Sequence, residues 1–191
     1  MPTTAIPRPL ITAAISISVA FTCFAQPASA ARGADTCPGA TDIPDTAAKL
    51  DTAAAAITCL VNAERASRGL GTLKRDSALQ QAARDHSRDM IRRDYFDHTS
   101  PGGQTVGDRV REAGYGKPGD GWSVGENLGW GTGGRAAPNA LVDAWLASSG
   151  HRKNMLKASF KELGVGVSQG APKKDGRLPG ATYTLNLGVI R

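Results

Sequence analysis

The chain has 191 residues, with 23 Lys and Arg against 17 Asp and Glu and a formal net charge of +6. That length can bury one core and is too short for two typical domains once an N-terminal signal is removed. The basic excess can favour anionic cell-envelope polymers or phospholipid, but it is scattered among acidic residues and forms no long block, so it reads first as a solvated surface; nucleic acid is not an expected partner.

Residues 1–30 read as a cleavable secretory signal. Arg8 precedes an apolar stretch from Leu10 to Phe24, and Ala28-Ser29-Ala30 supplies the small residues that signal peptidase accepts. The apolar run falls short of the roughly 20 residues that span a bilayer, so no transmembrane anchor is expected in the mature form. Phe21 and Thr22 are a poor context for lipid modification of Cys23. Cleavage after Ala30 removes Arg8 and no acid, leaving 22 basic and 17 acidic residues, a charge of +5. It also leaves Cys37 and Cys59 alone, and an exported protein most simply pairs two such cysteines. Loop closure assigns that disulfide about 3 kcal/mol.

Residues 31–50 are rich in Ala, Asp, Thr, Pro and Gly without an apolar period, which predicts an irregular leader before a domain spanning 51–191. A first helix is expected from near Asp51 to Arg68, with Ile57, Leu60 and Val61 on one face and Gly69 as its stop. Leu79, Ala82, Ala83, His86 and Met90 mark a second helix, for which Asp76 and Ser77 are candidate caps. Val106, Val110 and Ala113 mark a short third helix, stopped by Gly114. Trp122 to Trp130 is strand-like, and Gly131, Gly133 and Gly134 predict a loop after it. Pro138 opens another helix carrying Leu141, Ala144 and Trp145, and Gly150 is expected to break it so that His151 begins a separate turn tied down by Asn154. Leu163, Val165 and Val167, then Tyr183, Leu185, Leu187 and Val189, alternate as two antiparallel strands around a Lys/Gly/Pro-rich turn. The fold class is therefore α+β, a small antiparallel sheet covered by helices.

The chain holds three histidines. His86 lies on an apolar helix face and reads as a hydrogen-bonded core residue. His98 and His151 sit in polar segments beside helix breakers. Glu126 lies inside an otherwise apolar strand, where a carboxylate needs charged or hydrogen-bonding partners. Two histidines and Glu126, if they converge, form the ligand set of an open zinc site; a hydrogen-bonded pair that only fixes loop geometry ranks ahead of it on spacing alone. Gly121-Trp122-Ser123-Val124-Gly125 matches the G-x-S-x-G pattern of a hydrolase nucleophile elbow, with Asp143 and His151 following in order, but the glycines after it leave no helix behind the serine.

Five segments in sequence order carry a resemblance to a known family. Leu60-Val61-Asn62-x-x-Arg65, Phe96-Asp97-His98-x-Ser100-Pro101-x-Gly103, Gly125-Glu126-Asn127-Leu128, Trp145-x-x-Ser148-x-Gly150-His151-Arg152-x-Asn154-Met155-Leu156 and Leu163-Gly164-Val165-Gly166 resemble the bacterial form of the CAP superfamily, also called SCP-like. The resemblance implies an α-β-α sandwich with a central cleft. Its two histidines map to His98 and His151 and its first glutamate to Glu126, with Ser100, Asn127 and Asn154 in supporting positions. Many eukaryotic members carry a second glutamate three residues after the tryptophan; that position here is Ser148, which weakens any role needing two carboxylates. Members are associated with lipid or sterol binding, protein interaction and proteolysis. The leading expectation is a secreted, non-enzymatic module that binds an extracellular or envelope ligand, lipid or protein, through the His98/Glu126/His151 cleft. The alternative is a divalent-metal-dependent hydrolase or peptidase in which His98 and His151 hold zinc and Glu126 is third ligand or general base.

Overall fold

The computed structural model of the protein describes residues 36–172 and 179–191. The expected signal, residues 1–30, and most of the turn joining the last two strands lie outside them. Helix α1, Ala47–Ser67, buries Ile57, Leu60 and Val61 as its apolar spacing predicts. It begins at Ala47, ahead of the expected Asp51. The segment before it is tied down, since Cys37 and Ala40 are buried and Cys37 is bonded to Cys59.

Asp76 caps α2, Ser77–Arg92, by accepting from the Leu79 N–H at 2.8 Å. Helix α3, Val106–Glu112, opens on a capping box of Thr105 and Asp108, and Gly114 beyond its end adopts φ +90°. Strand β2, Trp122–Thr132, continues through Gly131, which was expected in the following loop. A side chain at Gly131 would overlap the backbone of Arg135, so this glycine permits close approach; Gly133–Ala136 then form a single 3-10 turn. The remaining elements are α4, Pro138–Ala147, α5, Ser149–Met155, β3, Glu162–Gln169, and β4, Gly180–Ile190.

The break between α4 and α5 falls at Ser148 and not at Gly150. Ser148 is extended, with φ −87° and ψ 124°, and its carbonyl accepts from the Arg152 N–H at 2.9 Å as the first bond of α5. Gly150 lies inside α5 with open space where a side chain would stand, so nothing there requires glycine. His151 thus belongs to a separate helix, as expected, through a different residue.

The sheet has four strands in the order β1-β3-β4-β2. The three long strands are antiparallel, but β1, Lys74–Arg75, pairs with β3 in parallel, so the sheet is mixed. Alternation gives its two faces different chemistry. Leu163, Val165, Tyr183, Leu185 and Leu187 pack with Ile57, Leu60, Leu141 and Trp145 of α1 and α4. The opposite face carries Gly164 and Gly166 together with buried Thr184 and Asn186, and α2 lies on it. Side chains at Gly164 and Gly166 would overlap the α2 backbone at Leu79, Gln80 and Ala83. Such close approach lets Asn186 Nδ2 donate to the Leu79 carbonyl and Ser87 Oγ donate to Thr184 Oγ1, at 3.2 and 2.8 Å. The result is the α-β-α sandwich that the resemblance implies, with β2 as an edge strand.

Candidate functional site

Adjacent residues of β2 project to opposite faces, and this divides Glu126 from Asn127. Glu126 turns toward α3 and the loop that precedes it, while Asn127 turns toward α5. Both are buried. The Glu126 carboxylate accepts from Nη2 of Arg109 at 3.1 and 2.8 Å, one contact to each oxygen, and from Nδ1 of His98 at 2.8 Å. Arg109 in turn donates to the backbone carbonyls of His98 and Gln104, at 2.9 and 3.0 Å. One guanidinium therefore neutralises the carboxylate and fixes the loop that carries His98.

On the other side, Asn127 Nδ2 donates to the His151 carbonyl at 3.0 Å, and Asn154 Nδ2 donates to Asn127 Oδ1 at 3.0 Å and to the Glu126 carbonyl at 3.2 Å. Trp145 Nε1 donates to the Leu128 carbonyl at 2.8 Å. The carbonyls of Glu126 and Leu128, two residues apart, face the same edge of β2. Side chains of α4 and α5 thereby occupy acceptors that an edge strand would otherwise offer to another chain.

Of the expected site residues, His98 and Glu126 are in direct contact. His151 is joined to them through its backbone and through the charge of His98, with no side-chain hydrogen bond to Glu126 among the described residues. Asn127 and Asn154 form the support just described. Ser100 is buried but stands one step away, bonded to Tyr95 in a network with Asp89 and His86. His86 donates through Nε2 to the Asp97 carbonyl at 3.0 Å, which fits its reading as a core residue. Ser123 sits in mid-strand opposite Val189, so the nucleophile-elbow pattern is incidental.

The two cleft histidines have opposite proton affinities. The hydrogen bond and charge of Glu126 raise the pKa of His98 above 6.5, while its side chain stays 56% exposed. Burial, assisted by the charge of His98, lowers the pKa of His151. The site therefore offers one imidazole inclined to donate and one inclined to accept.

Sequence reasoning missed Arg109. Its signal was present, because Val106, Arg109, Val110 and Ala113 share one face of α3 and place a cation on an apolar stripe. As the residues stand, the donor set does not fit the zinc centre considered above. Both oxygens of Glu126 are engaged by cationic donors, two imidazoles fall short of three protein ligands, and no group of three or more metal-ligating side chains forms among the described residues.

Comparison with known proteins agrees with this architecture. Residues 59–186 match the model of the CAP, or cysteine-rich secretory protein, family. The chain is 39% identical over 107 residues to the uncharacterised protein YkwD of Bacillus subtilis, covering 56% of this chain and 39% of that protein. It is 35% identical over 110 residues to the uncharacterised membrane protein YlbC of the same organism, covering 58% and 30% respectively. A solved extracellular SCP-domain protein from Bacillus anthracis superposes with a TM-score of 0.57 at 32% identity, covering 72% of this chain and 40% of its own. The chain thus spans less than half the length of each of these relatives. The matched family region contains Arg109, Glu126, both cleft histidines and their asparagine supports, and the protein belongs to the cysteine-rich secretory protein (CAP) family.

Proposed function

We propose that this domain acts outside the cytoplasm as a binding module, taking an extracellular or envelope ligand at the β2 edge through the rings of His98 and His151. The supporting observation is that Glu126 is committed to Arg109 and His98, which makes it a poor metal ligand or general base but a good orienting partner for the exposed imidazole. No helix among the described residues is long and apolar enough to cross a membrane, and the mature charge of +5 suits an anionic envelope.

The test is co-sedimentation of the mature protein with peptidoglycan sacculi and with phosphatidylglycerol vesicles, in EDTA and in zinc. Binding to one of the two is expected, unaffected by chelation and weakened about tenfold by His98→Ala, as the loss of one charge-assisted hydrogen bond implies. Binding abolished by EDTA would favour the metal-dependent reading. Failure to bind either probe, or indifference to His98→Ala, overturns the proposal.

A further inference from the structure

A groove of about 600 Å³ lies between α2 and the segment from Ser100 to Ala113, on the far side of Arg109 from Glu126. Its size is that of a small-molecule site. Helical spacing gathers on its α2 wall Arg88 and Arg92, four residues apart, with Arg93 beside them, a concentration that the dispersed charges of the linear sequence conceal. Arg109 lines the same groove with its side chain only 5% exposed, and its Nε–H has no acceptor among the described residues. An unused donor on a buried cation is costly.

The acidic residues of the groove do not balance these donors. Asp89 is taken by Tyr95, Arg92 and Arg93, Asp85 by Gln81 and Arg88, and Glu112 by Gln104. Two of the arginine contacts are long, at 3.5 Å for Arg88 and 3.5 Å for Arg93. Each guanidinium has five N–H donors, so the rim keeps free donors while its carboxylates are already engaged. The charge of Arg109 is itself used outside the groove, on Glu126.

We propose that this groove is a second binding site, distinct from the histidine cleft, for a molecule carrying at least two oxyanion groups. One group meets Arg88, Arg92 and Arg93 at the rim, and another reaches the Nε–H of Arg109. Planar guanidinium forks suit phosphate and carboxylate oxygens, which explains why the groove uses arginine and no lysine. The oxyanions come either from a small solute or from a repeating envelope polymer.

Calorimetric titration of the mature protein with orthophosphate and with tripolyphosphate at 0.15 M salt tests the site. Tripolyphosphate should bind about tenfold more tightly than orthophosphate, because linked groups engage the rim and Arg109 together. The Arg88→Gln/Arg92→Gln variant should lose about tenfold, as expected for charge-assisted contacts, while Arg75→Gln, outside the groove, should bind like wild type. In a proton–nitrogen spectrum the Arg109 Nε–H resonance should shift on tripolyphosphate addition. Tighter binding of a phosphodiester polymer than of tripolyphosphate, lost in the same variant, points to the envelope source; equal or weaker binding points to the solute. His98→Ala should retain tripolyphosphate binding, which separates this site from the cleft. Equal affinity for the two phosphates, equal loss in Arg75→Gln, an unmoved Arg109 signal or absence of binding overturns the proposal.

Discussion

Arg109 Nη2 lies 3.1 and 2.8 Å from the two oxygens of Glu126, with the side chains 5% and 1% exposed. The pair comes from α3 and from the edge strand β2, so it joins a helix layer to the sheet where His98 emerges. Breaking such a pair from one side strands a buried charge. Arg109→Met should therefore destabilise the protein by about 3–5 kcal/mol, and Arg109→Met/Glu126→Gln should recover part of that loss. Urea unfolding of the two variants checks this, and a double variant no more stable than the single one contradicts it.

His98 should titrate above 6.5 and His151 below it. The signs carry over to stability. His98, with its folded pKa raised, stabilises most below its unfolded pKa, and that contribution fades as pH rises through the folded value. His151 and His86, with folded pKa values lowered, oppose the fold as pH falls through 6.5, because the unfolded chain takes up protons that the native state resists. Glu126→Gln should bring the His98 titration down toward 6.5, measured by ring-proton NMR. If the His98 curve stays in place, the contact at 2.8 Å does not govern its charge.

Much of this was legible in the sequence because the information was local. Asp76 and the Thr105 to Asp108 box announce helix starts, and alternating Leu163, Val165 and Val167 announce a strand. The cleft was legible as types of residue in sequence segments, Glu126 in an apolar strand and His98 in a polar loop. What escaped depends on partners distant in sequence. Lys74–Arg75 is a strand only because Glu162 and Leu163 pair with it, and Arg109 reads as a solvated helical charge until Glu126 faces it 17 residues on. The break at Ser148 escaped for another reason, since an extended residue can end one helix and begin the next with no glycine involved.

Gly164 and Gly166 give a sharp test of the layer spacing. Strands tolerate alanine better than glycine in general, so Gly→Ala on a loosely packed strand should be neutral or stabilising. Here the added methyl meets helix backbone at Gln80 and Ala83, which cannot rotate away as a side chain could. Each substitution should cost about 3 kcal/mol, the upper part of the overpacking range, and the change in denaturation midpoint measures it. Wild-type stability in Gly166→Ala would mean that α2 can lift from the sheet.

Cys37–Cys59 ties residues ahead of α1 to the middle of that helix, with Cα atoms 5.7 Å apart. The mature protein should show no titratable thiol when denatured without reductant, and Cys37→Ala/Cys59→Ala should cost about 3 kcal/mol through the freed loop of the unfolded state. The cleft should be insulated from this loss. The bond is anchored in α1, on the apolar face of the sheet, whereas His98 and Glu126 are held by α3 through Arg109. The His98 ring signals of the reduced protein should therefore match those of the oxidised protein at temperatures where both are folded. A displaced His98 resonance after reduction would show that α1 transmits strain across the sheet to the β2 edge.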